Sequence, residues 1–179
     1  MNRPNGKIPS VFDIKLFRPH KDQPWKSKSG GALRVGFAWP IDLILGGFFL
    51  YDQAELNKLP ADIRGARLYR VSDIPAGKIG GTEFHRVRQE FVGVTRGEVE
   101  WVCEDLNGGK KTFTLNPDLG LSIWMPAFML HTYRVLSPGS EISVFVNTLF
   151  PPDKPELHDT YSEQAFRALQ AEYAASTLK

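Results

Sequence analysis

The sequence predicts an all-β domain closed by one helix, and three observations carry that prediction. From Arg67 onward, short runs alternate apolar and polar residues, the period of a strand with one buried face. Turn residues punctuate these runs at Pro75-Ala76-Gly77, Gly97, Asn107-Gly108-Gly109 and Pro138-Gly139. Only in the tail does the period change, with Phe166, Leu169 and Tyr173 recurring at helical spacing. Short strands in such a series build a double-sheet sandwich or barrel.

Taken in order, residues 1–10 read as a loose arm. Val11 to Phe17 alternates, with Phe12, Ile14 and Leu16 on one face, and predicts a strand. Residues 18–32 are polar and read as a surface loop in which Trp25 caps a core edge. Leu33 to Trp39 alternates until Pro40 ends the run. The apolar run Leu43 to Leu50 contains Gly46 and Gly47, so two short strands or a bend are expected. Asp52 to Leu59 reads as a helical turn or two stopped by Pro60.

Strands are then expected at Arg67–Val71, Glu90–Val94, Glu98–Glu104, Lys111–Leu115, Leu121–Met125, His131–Leu136 and Ile142–Leu149. Gly80 and Gly81 read as a turn, not a phosphate cradle, because no P-loop Lys-Ser/Thr follows. Asn107-Gly108-Gly109 signals a hairpin, since Asn and Gly tolerate positive φ. Thr160 with Glu163 makes a capping box and predicts a helix over Ser162–Ala174. The chain thus divides into an arm and loop (1–32), a barrel (33–161) and a helix with its tail (162–179).

Composition excludes several functions. The 179 residues suit one domain. With 42% hydrophobic and 12% aromatic residues, the chain has enough apolar surface to fold rather than stay disordered. A net charge of +2 gives no electrostatic case for nucleic acid. The lone Cys103 cannot form an internal bridge, which points to a reducing compartment. The start MNRPNGKIPS lacks the apolar core of a signal peptide. The longest apolar stretch, Ile41 to Tyr51, carries Asp42 and falls short of the ~20 residues a membrane span needs. A cytoplasmic protein with a small-molecule substrate, and no nucleic-acid or membrane partner, is expected.

The chemistry concentrates around two of the four histidines. Glu83 and His85 are two apart, so a strand would point them to one face. Glu90 shares the phase of Val92 and Val94, and follows them inward if they face the core. His131 shares its face with Tyr133. Trp101 and Cys103 are expected in the core. Arg86 and Arg88, in phase with Phe84, are expected on the surface or at a subunit interface, and Arg134 out of phase with His131. Arg67 and Arg70 are possible pyrophosphate partners that no pattern singles out, and His20 and His158 receive no role. Two imidazoles and two carboxylates in one cavity can hold a divalent metal. They can equally serve as acid–base groups whose carboxyls are tuned by burial and by one another.

The spacing carries a resemblance. Gly77, five residues, Glu83, one, His85, four, Glu90, six, Gly97 is followed by Gly120, five residues, Pro126, and His131 five after the proline. This resembles the two-part signature of the cupin superfamily, whose first part carries His-x-His and Glu and whose second carries one His. Here Glu83 takes the first His position, Phe128 the small residue after the proline, and Val135 the later Asn. Over roughly residues 64–168 the chain is most similar to the WxcM-like sugar 3,4-ketoisomerases, which act on dTDP-4-keto-6-deoxyhexoses. Their Pro-Ala-Gly, two residues, Arg-Gly-Gly-His-Ala-His-Lys, three residues, Gln falls on Pro75 to Glu90 without gaps. Pro75, Ala76, Gly77, Gly81 and His85 match. The Arg falls on Gly80, the second Gly on Thr82, the first His on Glu83, the Lys on Arg86 and the Gln on Glu90. Asn116 to Ile123 and the tail His158 to Phe166 resemble further family stretches.

The resemblance implies a cupin (RmlC-like) jelly-roll barrel, a homodimer paired through its sheets, and a metal-free isomerase. His85 would take a proton beside a carbonyl, and Glu83, or His131 with Tyr133, would complete the carbonyl migration, with no cofactor. The alternative is a metal enzyme (oxygenase, isomerase or lyase) in which Glu83, His85, Glu90 and His131 hold one Fe, Mn, Ni or Zn ion. A second alternative is a cupin that binds a sugar without turning it over.

Overall fold

Alternation and turn chemistry generate two antiparallel sheets. The computed structural model describes residues 8–18, 25–26, 32–33, 67–148 and 158–177. A short 3-10 turn at Val11–Asp13 precedes β1 (Lys15–Phe17), β2 (Trp25–Lys26) and β3 (Ala32–Leu33). Then follow β4 (Arg67–Ile74), β5 (Ile79–Phe84), β6 (Glu90–Arg96), β7 (Val99–Glu104) and β8 (Lys110–Leu115). β9 (Ser122–Met125), β10 (Leu130–Val135), β11 (Ser140–Val146), β12 (Tyr161–Ser162) and the helix α1 (Glu163–Thr177) complete the order. One five-stranded sheet runs β1-β9-β6-β11-β4 and the other β12-β5-β10-β7-β8, while β2 and β3 pair alone. From β4 to β12 consecutive strands alternate between the sheets, except that β7 and β8 form a hairpin within one, and the two sheets face each other as a jelly roll.

The main core lies between the sheets. β7 turns Val99, Trp101 and Cys103 inward, as expected, and β11 contributes Ile142, Val144 and Val146. β8 buries Phe113 and Leu115 while Lys110, Thr112 and Thr114 stay exposed. A second cluster lies under α1, where Phe166 and Leu169 pack with Phe84, Leu106, Phe128 and Leu130. This is the apolar stripe that the tail periodicity announced. No helix among the described residues is long and apolar enough to cross a membrane.

The structure departs from five local expectations. Val11 to Phe17 is not one strand. Ser10 caps a 3-10 turn by accepting from Phe12 N (3.3 Å) while Asp13 accepts from Ser10 N (2.8 Å). That winding buries Val11 and Ile14 and leaves Phe12 86% exposed, so the phase is set by the cap. The resulting β1 pairs with β9, so part of the arm belongs to a barrel sheet. The helix is capped by Ser162, which accepts from Ala165 N at 3.4 Å, and not by Thr160, because Tyr161 and Ser162 are drawn into β12 against β5. Gly80 and Gly81 lie inside β5 rather than in a turn. Arg88 is buried and not on the surface. The run Leu43–Leu50, the segment Asp52–Leu59, nearly all of Leu33–Trp39, His20 and the side chains of Trp25 and Arg67 lie outside the described residues.

Candidate active site

The site forms where β5 and β10 meet the start of β6. Glu83 and His131 are direct cross-strand partners, and the register slips between His131 and Thr132 because Thr82 is an extra residue on β5. Gly81 and Thr82 take left-handed φ values of 77° and 51° to make this bulge. A bulge re-aims the side chain beside it, and here that side chain is Glu83. The strand glycines have a steric purpose too. A Cβ on Gly80 would lie 2.4 Å from the Tyr133 ring carbon Cζ and hydroxyl, so Tyr133 lies directly over bare backbone. Gly80→Ala should therefore displace Tyr133 and cost ~1–3 kcal/mol of stability, the usual range for overpacking. Denaturant midpoints check this, and an unchanged midpoint would contradict the close approach.

On the other side of β10, Trp101 stacks on both Tyr133 (5.3 Å between centroids) and His131 (5.7 Å). Trp101 is fixed in turn by its indole N–H, which donates to Met125 Sδ at 3.2 Å. Cys103 sits beside the same sulfur, and burial pushes its thiol up, against the thiolate form.

The four residues singled out by spacing converge. Glu90 leaves the facing sheet with its carboxylate between the two imidazoles. Its Oε1 is 3.2 Å from His85 Nε2, and its Oε2 is 3.4 Å from His131 Nε2. Glu83 Oε1 lies 3.9 Å from His85 Nε2. The imidazole rings are 5.2 Å apart. His85, Glu90 and His131 are buried, whereas the Glu83 side chain is 32% exposed. Tyr69 on β4 donates to Glu90 Oε1 at 3.3 Å.

Both histidines have a fixed orientation. His131 Nδ1 donates to the Met129 carbonyl (3.2 Å), and His85 Nδ1 donates to the Asp159 carbonyl. A carbonyl only accepts, so each Nδ1 carries hydrogen and each Nε2 faces Glu90.

Strand phase fails past Phe84, where the chain leaves β5. Residues 85–89 form a turn that carries Arg88 inward, to 4% exposure, instead of to the surface. Its guanidinium lies 3.7 Å from Glu90 Oε1 and 3.5 Å from His85 Nε2, and its Nε donates to Thr148 Oγ1. Arg86 lies over the Tyr161 ring, 4.7 Å from its centroid, half-buried rather than free. No pattern in a single sequence marks Arg88. The other residue missed is Asp159, whose carboxylate accepts from the backbone N–H of Arg86, Val87 and Arg88 at 2.9, 2.7 and 2.6 Å. Its only signal was the resemblance of the stretch beginning at His158. Phe128 closes the turn from the other side, its N–H donating to the His85 carbonyl at 2.7 Å. Phe128 does this at φ 61°, where the resembling motif has a small residue, and its ring is held in the second core cluster. Arg134 and Arg70 are engaged outside the site, with Glu100 and Glu141.

Charge organises the cluster. Burial would push the Glu90 carboxyl up, but His131, His85 and Arg88 outweigh it and bring it down to about 2. Burial, helped by His85, holds His131 below the ordinary histidine range against the pull of Glu90 and Glu83. These two effects compete, since the depression of Glu90 draws partly on a charged His131. The Arg88 guanidinium, 3.7 Å from Glu90 Oε1, adds a smaller pull on Glu90 in the same downward direction. Burial, and then Glu83, raise the Tyr133 phenol, so it remains protonated.

Ligand atoms of Glu83, His85 and His131 lie within 4.8 Å of one another, close enough to share a cation. The Arg88 guanidinium fits that use poorly. It already sits against His85 Nε2 and Glu90, supplying the positive charge that a metal would bring.

No protein-family model matches the chain, and no curated protein matches it. Solved structures do. The chain is similar to a 3,4-ketoisomerase from Helicobacter canadensis at 16% identity and a TM-score of 0.59, covering 89% of this chain and 98% of that one. It is similar to a single-residue variant of the 3,4-ketoisomerase from Thermoanaerobacterium thermosaccharolyticum in complex with TDP-4-keto-6-deoxyglucose (13% identity, TM-score 0.57, 87% of this chain and 91% of that one). A dTDP-4-dehydrorhamnose 3,5-epimerase from Elizabethkingia anophelis matches at 16% identity and a TM-score of 0.55, over 88% of this chain and 78% of that one. The chain therefore has the RmlC-like cupin fold shared by sugar 3,4-ketoisomerases and 3,5-epimerases.

Proposed function

We propose that this protein is an isomerase that moves a carbonyl between neighbouring carbons of a nucleotide-linked keto-deoxyhexose by proton transfer. The observation that carries the reading is the pairing of a half-open carboxylate, Glu83, with a buried and oriented imidazole, His85, 3.9 Å away. We assign abstraction to this pair rather than to His85 alone, because His85 is 3% exposed and Glu83 is the member that meets solvent.

In the forward direction the pair takes the proton from the C–H beside the carbonyl. The C–H electron pair becomes the C=C bond of an enediolate, and the former carbonyl oxygen takes the negative charge. The Tyr133 phenol, kept protonated, hydrogen-bonds that oxygen. The pair then returns the proton to the former carbonyl carbon. The adjacent hydroxyl proton passes to the first oxygen, leaving the carbonyl one carbon over. Atoms and electrons balance with no external oxidant. Buried Arg88 stabilises the added negative charge from behind.

The test is incubation with TDP-4-keto-6-deoxyglucose, following the sugar by NMR. A 3-keto product, and incorporation of solvent deuterium at the reacting carbon, are expected. No turnover with this or related nucleotide keto sugars would overturn the reading in favour of a sugar-binding cupin.

The metal reading remains distinct, because ligand atoms of Glu83, His85 and His131 lie within 4.8 Å of one another. Protein purified without a polyhistidine tag and reconstituted with Fe, Mn, Ni and Zn separates the two. Under the acid–base reading, no stoichiometric metal survives desalting. Near one equivalent, lost in His131→Ala, would make the four residues ligands.

A further inference from the structure

The carboxylate of Asp159 accepts three consecutive backbone N–H groups, those of Arg86, Val87 and Arg88. Its own carbonyl accepts the Nδ1–H of His85. One residue thus holds both the turn that follows β5 and the ring at the start of that turn. Both bonds span more than 70 positions of sequence, so they are tertiary rather than local. Asp159 is itself anchored, because two residues later Tyr161 pairs with Phe84 across β12 and β5, and Ser162 pairs with Glu83. Tyr161 also packs on Phe84, with ring centroids 5.2 Å apart.

We propose that Asp159 is the positioning residue of the site: it fixes His85 in the Nδ1–H form with Nε2 presented to Glu83 and Glu90, and it turns Arg88 inward. The physical reason is geometric. A histidine at a strand end has a free χ2 and two exchangeable tautomers. A carbonyl on Nδ1 removes both freedoms, but only while that carbonyl stays put. The Asp159 carboxylate keeps it there by binding the three N–H groups beside the histidine it serves. These charge-assisted bonds are among the stronger hydrogen bonds available. The C-terminal segment is therefore part of the catalytic apparatus and not only a cover for the second core. The catalytic consequence rests on the acid–base reading above. The tautomer does not.

The experiment is side-chain nitrogen NMR on the full-length 15N-labelled protein, with His85 identified by its loss in His85→Asn. In the wild type, Nδ1 of His85 carries a proton that is protected from exchange. In Asp159→Ala that proton exchanges rapidly and the ring populates both tautomers, while the shifts of His131 stay in place. Asp159→Asn keeps one acceptor oxygen and restores part of the protection. Were the alanine variant to unfold, the same readings on the asparagine variant would decide. With a turned-over substrate, kcat falls about 10²-fold in Asp159→Ala with KM changed little, the cost of a small misplacement of a reacting group. An unchanged His85 tautomer and exchange rate in the variants overturns the proposal. A changed tautomer with kcat untouched upholds the clamp and overturns the part given to His85 in catalysis. Absence of turnover in the wild type strikes the functional reading and leaves the NMR result to stand alone.

Discussion

Replacing Glu83 by Gln should lower kcat by about 10²–10⁴-fold, the usual contribution of a general acid–base group, with the fold intact. The expectation follows from position. Glu83 is half-open and Gln is nearly isosteric with it, so Gln fills the same space at little structural cost. What Gln cannot do is take a proton. KM should move little, because a neutral amide still offers hydrogen bonds to the sugar. His85→Asn should lose comparable activity for a different reason, since it removes the imidazole behind Glu83 and leaves Arg88 and the Asp159 carbonyl without their shared partner. That variant should also unfold more easily, and the comparison of the two separates chemistry from structure. Steady-state rates and denaturation midpoints measured on the same preparations check both. Near-wild-type turnover in Glu83→Gln would remove Glu83 from proton transfer. Wild-type turnover in both variants would remove the site.

The contrast between these two residues shows what a sequence reveals and what it hides. Glu83, Glu90 and His131 were legible because sequence spacing along strands dictates side-chain direction, whereas His85, one residue past the end of β5, is set by the turn and its bond to Asp159. Val92 and Val94 do face the core, and Glu90 follows them inside. The strand ends at Phe84, and from there phase carries no information. Arg88 was accordingly expected on the surface and is buried against Glu90. The same limit applies to Gly80 and Gly81. A glycine pair reads as a turn by composition, yet here one glycine admits the Tyr133 ring and the other opens a bulge, requirements set by β10, some 50 residues away. The Thr160 capping box was sound as a local pattern. It lost to the pairing of β12 with β5, a tertiary contact that moved the cap to Ser162. The cross-strand match of Glu83 with His131 was likewise beyond one-dimensional reading, because register is a property of two strands.

Glu90 is where charge and stability meet, and Glu90→Gln should cost about 3 kcal/mol at pH 7, near the low end for breaking a buried ion pair. The substitution is nearly isosteric, so little of this is packing. It comes from leaving Arg88 buried without its carboxylate. The pH dependence separates charge from shape. In the folded protein Glu90 is depressed from 4.5 to about 2, and a depressed carboxyl contributes stability that is fully present above its unfolded value. The contribution should therefore be complete above about pH 5 and fade as pH falls through 4.5 towards 2. His131, also held below its ordinary 6.5, adds a loss of the same sign that begins as pH drops below that value. This second loss belongs to wild type and variant alike to the extent that His131 is neutral in both. The difference in unfolding free energy between wild type and Glu90→Gln should thus shrink from about 3 kcal/mol at pH 7 towards zero as pH approaches 2. Urea titrations at a series of pH values measure it directly. A gap that stays constant down to pH 3 would mean that shape, and not the ionised carboxylate held by Arg88 and two oriented imidazoles, is what this position contributes.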